Sequence, residues 1–501
     1  MPRDSFPPEK RERRDVLRIA NPFGLQPINP VLTVLGFASA FVNIVSDGLV
    51  EDYKGDLLLA ESIDSKDAKV WHVRIRPNLL FHDGSILTST DVIHTINLAR
   101  HSHLAVYEDR LGSIDSIREI SPREIEITLS EPNTSFPRCL SFGILPARHF
   151  PSDHFNEESF VKDPVATGPY RLVHLDERVA RFERFDQYFR GKPTVKMIEA
   201  LRMSNKEEAW VSLTRNQVDL LLDMFTDAEA LSMLSPDLVD HPVDPPYGYA
   251  LALPYRSKIF SDRRIRQAVA YAIDRPRLLQ LARSLKGPSP EWIRSALSIQ
   301  SPTPFVHDFR LANHLLDTTG WKRRAGEQIR KKGEELLHLP LLYSSHDELS
   351  LRAAQSISRD LMDIGVDVAI LPRSHDDIVK KKDRDYSSAV VYFYPPYMSA
   401  DRLRDLFHST RVTEGYNFSG FSNAEVDRLL DQAQAELSID SETRNYSRVL
   451  DIVHTETPSL FLFWRPWSVP MHRCWKNVSF VSGNLLSSVW RWQCELKDDS
   501  S

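Results

Sequence analysis

The chain has 501 residues, enough for about three units of domain size, and its 42% hydrophobic and 26% charged residues are ordinary globular values. A net charge of -6, with 63 basic and 69 acidic residues interspersed, leaves no basic field for nucleic acid. Three cysteines, Cys139, Cys474 and Cys494, are too few for a disulfide framework, match no paired metal spacing and allow at most one bridge.

The chain opens MPRDSFPPEKRERRD, charged and proline-containing, which reads as a disordered tail over residues 1–14. That stretch lacks the basic end, apolar run and small-residue cleavage site of an export signal. Val31 to Val45 is the one candidate span. At about 15 residues, with Ser39 and Asn43 inside it, it falls short of the roughly 20 apolar residues that cross a bilayer, so a buried segment is expected.

Asp15 to Ala20 reads as a short buried strand entering a loop broken by Pro22, Pro27 and Pro30. Further on, Trp71, Val73 and Ile75 alternate with His72, Arg74 and Arg76, the period of a strand with one buried face. His82, Asp83 and Gly84 then make a turn. Thr88, three residues before Asp91, opens a helix with a capping-box pattern and an apolar stripe through Val92, Ile96 and Ala99. His101, His103 and Glu108 do not share a helix face, so the group reads as a solvated helix end and no metal is expected. Glu124 to Leu129 alternates as a strand, and Gly168-Pro169 forms a tight turn into the paired strands that follow.

A βαβ-like unit spans Met197 to Met224. Pro242, Pro245 and Pro246 mark Val243 to Tyr249 as a crossover between domains. Beyond it, Ile265, Ala268, Val269 and Ala272 recur at helical spacing, with Arg263, Arg264 and Gln267 on the other face. Asp274 suits the cap of a second helix with Pro276 in its first turn. Leu339 to Tyr343, a helix from His346 to Met362 and the strand of Val366, Val368 and Ile370 repeat the strand–helix–strand pattern, with Gly365 where a left-handed C-cap is wanted. Lys380 to Asp385 is a solvated charge run. Asn423 caps a helix carrying Val426, Leu429 and Leu430, and Leu460 to Trp467 is a buried strand. No nucleophile elbow, phosphate loop or zinc helix occurs, which places binding ahead of catalysis; no cofactor is expected.

Several blocks, in order, resemble the bacterial extracellular solute-binding proteins of family 5, the receptors of oligopeptide and dipeptide uptake systems. They are the helix start from Asp262 to Arg275, the turn Phe81-His82-Asp83-Gly84, and Ala166-Thr167-Gly168-Pro169-Tyr170. Two more are Asn417 to Leu430 and the helix–strand segment ending Gly365-Val366-Asp367-Val368. The similarity runs from about Asp15 to about Phe480. It implies an α/β, two-lobed periplasmic-binding-protein-like fold of class II with an extra subdomain in the first lobe. Its expected boundaries are a first lobe over residues 15–250, with the small subdomain at about 60–150, a second lobe over 251–458, and a return over 459–501.

The resemblance also implies a receptor, monomeric and not an enzyme, that delivers a peptide or other small amphipathic solute to an ABC-type permease by lobe closure. The expected location is periplasmic or cell-surface. A cytoplasmic ligand sensor, or a degenerate paralogue with the same fold, is the alternative. Two acids of the family pattern are missing: Leu25-Gln26-Pro27 stands where the family carries Leu-Asp-Pro, and Tyr394 to Asp401 stands where it carries the acid that holds a peptide amine. The expected solute contacts are therefore Gln26, Tyr247, Tyr249, Tyr392, Tyr394, Tyr397, Asn417, Trp464 and Arg465. Asp401 is either a substitute for the missing acid or a first-turn helix acid.

Overall fold

The computed structural model describes the chain except residues 1–14, 23–24, 26–27, 34–37, 52–55, 103, 153–154, 223–234, 282–301, 304, 346, 375–376, 379–385, 395–401, 414, 437, 482–483 and 496–501. Two compact units divide it: Met1–Asp244 with Trp467–Ser501, and Pro245–Pro466.

In the first unit, β1 (Val16–Asn21) carries Leu17 and Ile19 into the core while Arg18 faces outward, as its alternation predicts. A four-stranded antiparallel sheet follows, in the order β2 (Ala60–Ser65), β3 (Val70–Ile75), β5 (Glu124–Leu129), β4 (Ile114–Ser121). Trp71, Val73 and Ile75 are its buried face. The main sheet of this unit adds β6 (Tyr170–Leu175), β7 (Val179–Arg184), β8 (Met197–Arg202) and β9 (Leu220–Leu221). β1 lies between β8 and β9, parallel to both, and β7 is antiparallel between β6 and β8. The helix Ala38–Val45 covers its inner face, where Phe41 stacks on Phe182 at 5.6 Å. No helix among the described residues is long and apolar enough to cross a membrane.

Local chemistry locks these pieces. The Asp91 carboxylate accepts the Thr88 N–H at 2.8 Å and, through its other oxygen, the Ala147 N–H at 2.9 Å, so the helix cap also ties down the segment behind it. Gly84 adopts φ 84° in the expected turn. At Gly168 a Cβ would lie 2.4 Å from the Val45 carbonyl carbon, so only glycine lets the two backbones meet there.

The chain enters the second unit within β10 (Leu238–Ala252), so the proline-rich residues 242–246 form strand. After the short hairpin β11 (Lys331–Lys332) and β12 (Glu335–Leu336), β13 (His338–Ser344) and β14 (Asp367–Arg373) pair in parallel. β15 (Ala389–Tyr394) joins β13 in parallel and β10 antiparallel. Helix Glu348–Asp363 packs Ala353, Ala354, Ile357 and Leu361 on this sheet and ends at Gly365, φ 83°. Its N-cap is Asp347, whose carboxylate accepts the Leu349 N–H at 3.1 Å.

Helix Arg263–Ala272 buries Ile265, Ala268, Val269 and Ala272 as its period predicts. It also buries Arg266 completely, which the period does not predict. That guanidinium donates to the carbonyls of Phe260 (2.6 Å), Ser261 (2.9 Å) and Glu456 (2.5 and 2.9 Å) and lies 4.3 Å from the Tyr255 ring centroid. A buried charge persists only when its donors are spent in this way.

The chain leaves the second unit within β16 (Ser459–His472). Back in the first unit, β17 (Trp475–Lys476) pairs with β19 (Gln493–Cys494), and β18 (Phe480–Val481) pairs with the first-unit end of β10. Cys474 and Cys494 form a disulfide across this hairpin, with their Cα atoms 4.9 Å apart.

Candidate functional site

Strand pleating sorts the expected contact residues. Tyr247 and Tyr249 point to one face of β10 and Ala250 to the other. Tyr249 lies opposite Phe393, and Ala250 opposite Tyr392. Tyr392 therefore faces away from Tyr249. Its ring meets Phe418 at 4.7 Å, and Trp464 packs on Phe461 at 5.2 Å, both in the core on that second side. Tyr249 stacks on Phe463 at 4.9 Å, and Tyr247, half-buried, packs edge-on against Phe393 at 5.9 Å. The described members of the expected aromatic set, Tyr247 and Tyr249 on one side and Tyr392 and Trp464 on the other, thus form two groups on two faces.

Asn417 is buried and fully engaged. Its amide nitrogen donates to the carbonyls of His408 (3.1 Å) and Phe421 (2.9 Å), and its oxygen accepts from Ser419 Oγ and Phe421 N–H, both at 3.1 Å. An amide has two donors and two acceptor sites, so Asn417 is spent on shaping its own loop. Gln26, Tyr397, Asp401 and the side chain of Tyr394 lie outside the described residues.

Tyr249 and Arg465 are brought together, around an acid that was not anticipated. Asp347, 2% exposed, accepts the Tyr249 hydroxyl at 2.7 Å and the Ser350 hydroxyl at 2.5 Å through Oδ2, while Oδ1 takes the Leu349 N–H. Arg465 Nη1 lies 3.7 Å from Asp347 Oδ1 and donates to the Tyr249 oxygen at 3.3 Å. Burial, reinforced by the neighbouring Asp347 charge, pushes the Tyr249 phenol well above its ordinary range, so it serves as a neutral donor. Arg465 keeps 17% of its side-chain exposure and is the outward member of the cluster.

The sequence places a helix over His346 to Met362 without singling out Asp347, which the structure makes the N-cap of Glu348–Asp363. Its two charged and phenolic partners come from distant strands and left no local signal.

Two polar features mark the first unit. A surface groove of about 500 Å³ is lined by His82, Asp83, Arg171, Glu183, Arg184 and Asp186, among others. Its acids are each held by an arginine: Glu183 by Arg171 (3.1 Å), Asp186 by Arg184 (2.8 Å) and Asp83 by Arg148, with His149 Nε2 3.0 Å from Asp83 as well. Elsewhere Asp47, 6% exposed, accepts the Tyr188 hydroxyl at 3.3 Å, and its Oδ2 has no hydrogen-bond partner. Burial pushes this carboxyl up to about 8. Among the described residues no group of three or more His, Cys, Asp or Glu could hold a metal ion.

The profile of the bacterial extracellular solute-binding proteins, family 5 Middle, matches residues 56–414. The chain belongs to that family. It is 22% identical over 465 residues to the oligopeptide-binding protein AppA of Bacillus subtilis, covering 87% of this chain and 83% of AppA. It is 25% identical over 469 residues to the nickel-binding periplasmic protein of Escherichia coli, covering 88% and 86%. The crystal structure of the ABC transporter substrate-binding protein CtaP from Listeria monocytogenes superimposes with a TM-score of 0.83 at 18% identity, covering 96% of this chain and 100% of CtaP. AppA in complex with a nonapeptide gives 0.75 at 19% identity, covering 97% and 100%.

The expected fold class follows: a two-lobed binding-protein fold with the four-stranded sheet β2–β5 as an extra subdomain in the first lobe. Members of this family are extracellular or periplasmic receptors for solutes.

Proposed function

We propose that this protein is an exported, monomeric receptor that closes its two lobes on a peptide-like or other amphipathic solute and hands it to an ABC-type permease. The observation that carries this reading is the family match across residues 56–414, together with an oligopeptide-binding relative that aligns over most of both chains. Among the described residues Tyr247 and Arg465 are the proposed solute contacts; Gln26, Tyr394, Tyr397 and Asp401 are proposed from the sequence alone. The buried Tyr249, Tyr392, Asn417 and Trp464 support that surface from behind. The Cys474–Cys494 disulfide favours an oxidising compartment, and so an exported receptor over a cytoplasmic sensor.

The receptor makes a weak demand for a free amine. The family acid is absent from Tyr394 to Asp401, and Asp347 already accepts from a phenol, a hydroxyl and a backbone N–H while facing a guanidinium. An unpaired ammonium forgoes a charge-assisted bond of roughly 1.5 to 3 kcal/mol, about one to two decades of affinity. Calorimetry with matched free and N-acetylated peptides tests this. The two forms should bind within a few-fold of each other; a preference for the free peptide of about tenfold or more means that an acid such as Asp401 clamps the amine.

A further inference from the structure

We infer that the Cys474–Cys494 disulfide braces the two strands by which the chain passes between its units, fixing their first-unit ends so that bending is confined to proline positions. Such a brace acts on the chain itself and works whether or not the solute is a peptide.

Both passages fall at prolines. The unit boundary crosses β10 between Asp244 and Pro245, and β16 between Pro466 and Trp467. β18 pairs with Val243 and Asp244 of β10, and the pairing of β10 with β15 begins at Gly248. Between them stand Pro245 and Pro246, which have no N–H to give a ladder. A strand interrupted in this way bends there, provided that its ends are held.

The first-unit ends are held by one short segment. β16 runs down to Met471, opposite Leu220 of β9, and the next two N–H groups, of His472 and Arg473, donate to the carbonyls of Asp219 and Asp237 at 2.8 Å each. Asp237 directly precedes β10, so the end of one crossing strand is tied to the start of the other. Cys474 follows at once, and its disulfide closes a 20-residue span that carries β18 back to β10. That span has little ladder of its own, since β17, β18 and β19 are two residues each. Its interior is packed instead: Phe480 meets the Trp492 ring at 5.2 Å, the Trp492 indole N–H donates to Ser488 Oγ at 2.6 Å, and Ser488 Oγ donates to the Ser479 carbonyl at 2.7 Å. Covalent closure removes the loop entropy that opposes pairing by such short strands. β18 is thereby presented to β10 at the two residues before Pro245.

The test is native-state hydrogen exchange on the full chain, followed by mass spectrometry at rising urea below the unfolding transition. In wild type, the amides of residues 238–244 and 467–472 should exchange only when the whole unit unfolds, with the same steep urea dependence as β2 to β5. The double variant Cys474→Ala with Cys494→Ala, which leaves no unpaired thiol at either position, should open them locally. Their exchange without urea should be about tenfold to a hundredfold faster, up to the closure entropy of such a loop, and nearly independent of urea, while β2 to β5 keep the steep dependence. A disulfide that serves overall stability alone would speed every amide of the unit and leave the urea dependence steep, which overturns the brace. A shallow dependence at 238–244 and 467–472 already in wild type overturns it as well. Should the double variant fail to fold, Phe480→Leu, which keeps the disulfide and weakens the seat of β18 on β10, carries the test. In that variant 238–244 should turn shallow while 467–472 stays steep, and steep behaviour in both overturns the brace.

Discussion

Asp47 makes stability depend on pH in a direction opposite to most acids. Its carboxyl is sealed where backbones meet: a Cβ on the neighbouring Gly48 would lie 2.4 Å from the Ser141 carbonyl oxygen. The nearby cation, Arg190, is held by Glu51 at 2.9 Å and lies over the Trp490 ring at 5.2 Å. Burial therefore outweighs the attraction of Arg190, and the folded chain keeps this proton up to about pH 8, whereas the unfolded chain releases it near 3.8. Between those values the native state binds one more proton, so stability falls by about 1.4 kcal/mol per pH unit, on the order of 5 kcal/mol in all.

His82 works the other way. Burial lowers it to about 4 from 6.5, so across that window the unfolded state holds the extra proton and stability rises with pH. The two contributions oppose each other up to pH 6.5, and above it the fall from Asp47 stands alone. Asp47→Asn is neutral at every pH and leaves His82 in place. Urea unfolding followed by tryptophan fluorescence from pH 4 to 9 should show the variant gaining on wild type by about 1.4 kcal/mol per unit up to about pH 8, then running parallel. A difference that stays flat through this range would mean that Asp47 is ionised in the folded protein and that burial does not dominate.

Two further outcomes test the packing. Arg266→Met strips the donor from the buried Phe260 carbonyl and from the part-buried carbonyls of Ser261 and Glu456, and the cation from the Tyr255 face, and should cost about 3 to 5 kcal/mol in urea unfolding, with Arg266→Lys recovering only part of it. Opening the 20-residue span between Cys474 and Cys494 with a Cys494→Ser substitution should cost about 3 kcal/mol, and thiol titration of the denatured, unreduced wild type should find one free thiol, Cys139.

What could be read from the sequence was what neighbours in the chain decide. The alternation of Trp71, Val73 and Ile75, the Thr88–Asp91 cap, the Asn423 cap and the left-handed Gly365 each follow from a few adjacent residues, and each stands in the structure as read. Arg266 escaped because periodicity assigns a charge to the solvent side. Its partner carbonyl at Glu456 is 190 residues away, and only the approach of that chain end turns a surface residue into a buried one.

The candidate site failed to show itself for the same reason, twice over. Counting tyrosines and tryptophans along strands says nothing about which face they take until register is known. The pairing of Ala250 with Tyr392 puts that ring on the side away from Tyr249, and dissolves a cluster that composition alone seemed to offer. Conversely, Asp347 lies unremarked at the start of the helix expected over His346 to Met362 and proves to be its N-cap; what makes it more is a phenol 98 residues before it and a guanidinium on β16, neither implied by the local pattern. A cap needs one oxygen for one N–H, and Asp347 has the second oxygen fixed by Tyr249 and Ser350. That surplus of fixed contacts holds Tyr249, Ser350 and the helix start to one buried acid, and long-range pairing of this kind is what local sequence pattern does not carry.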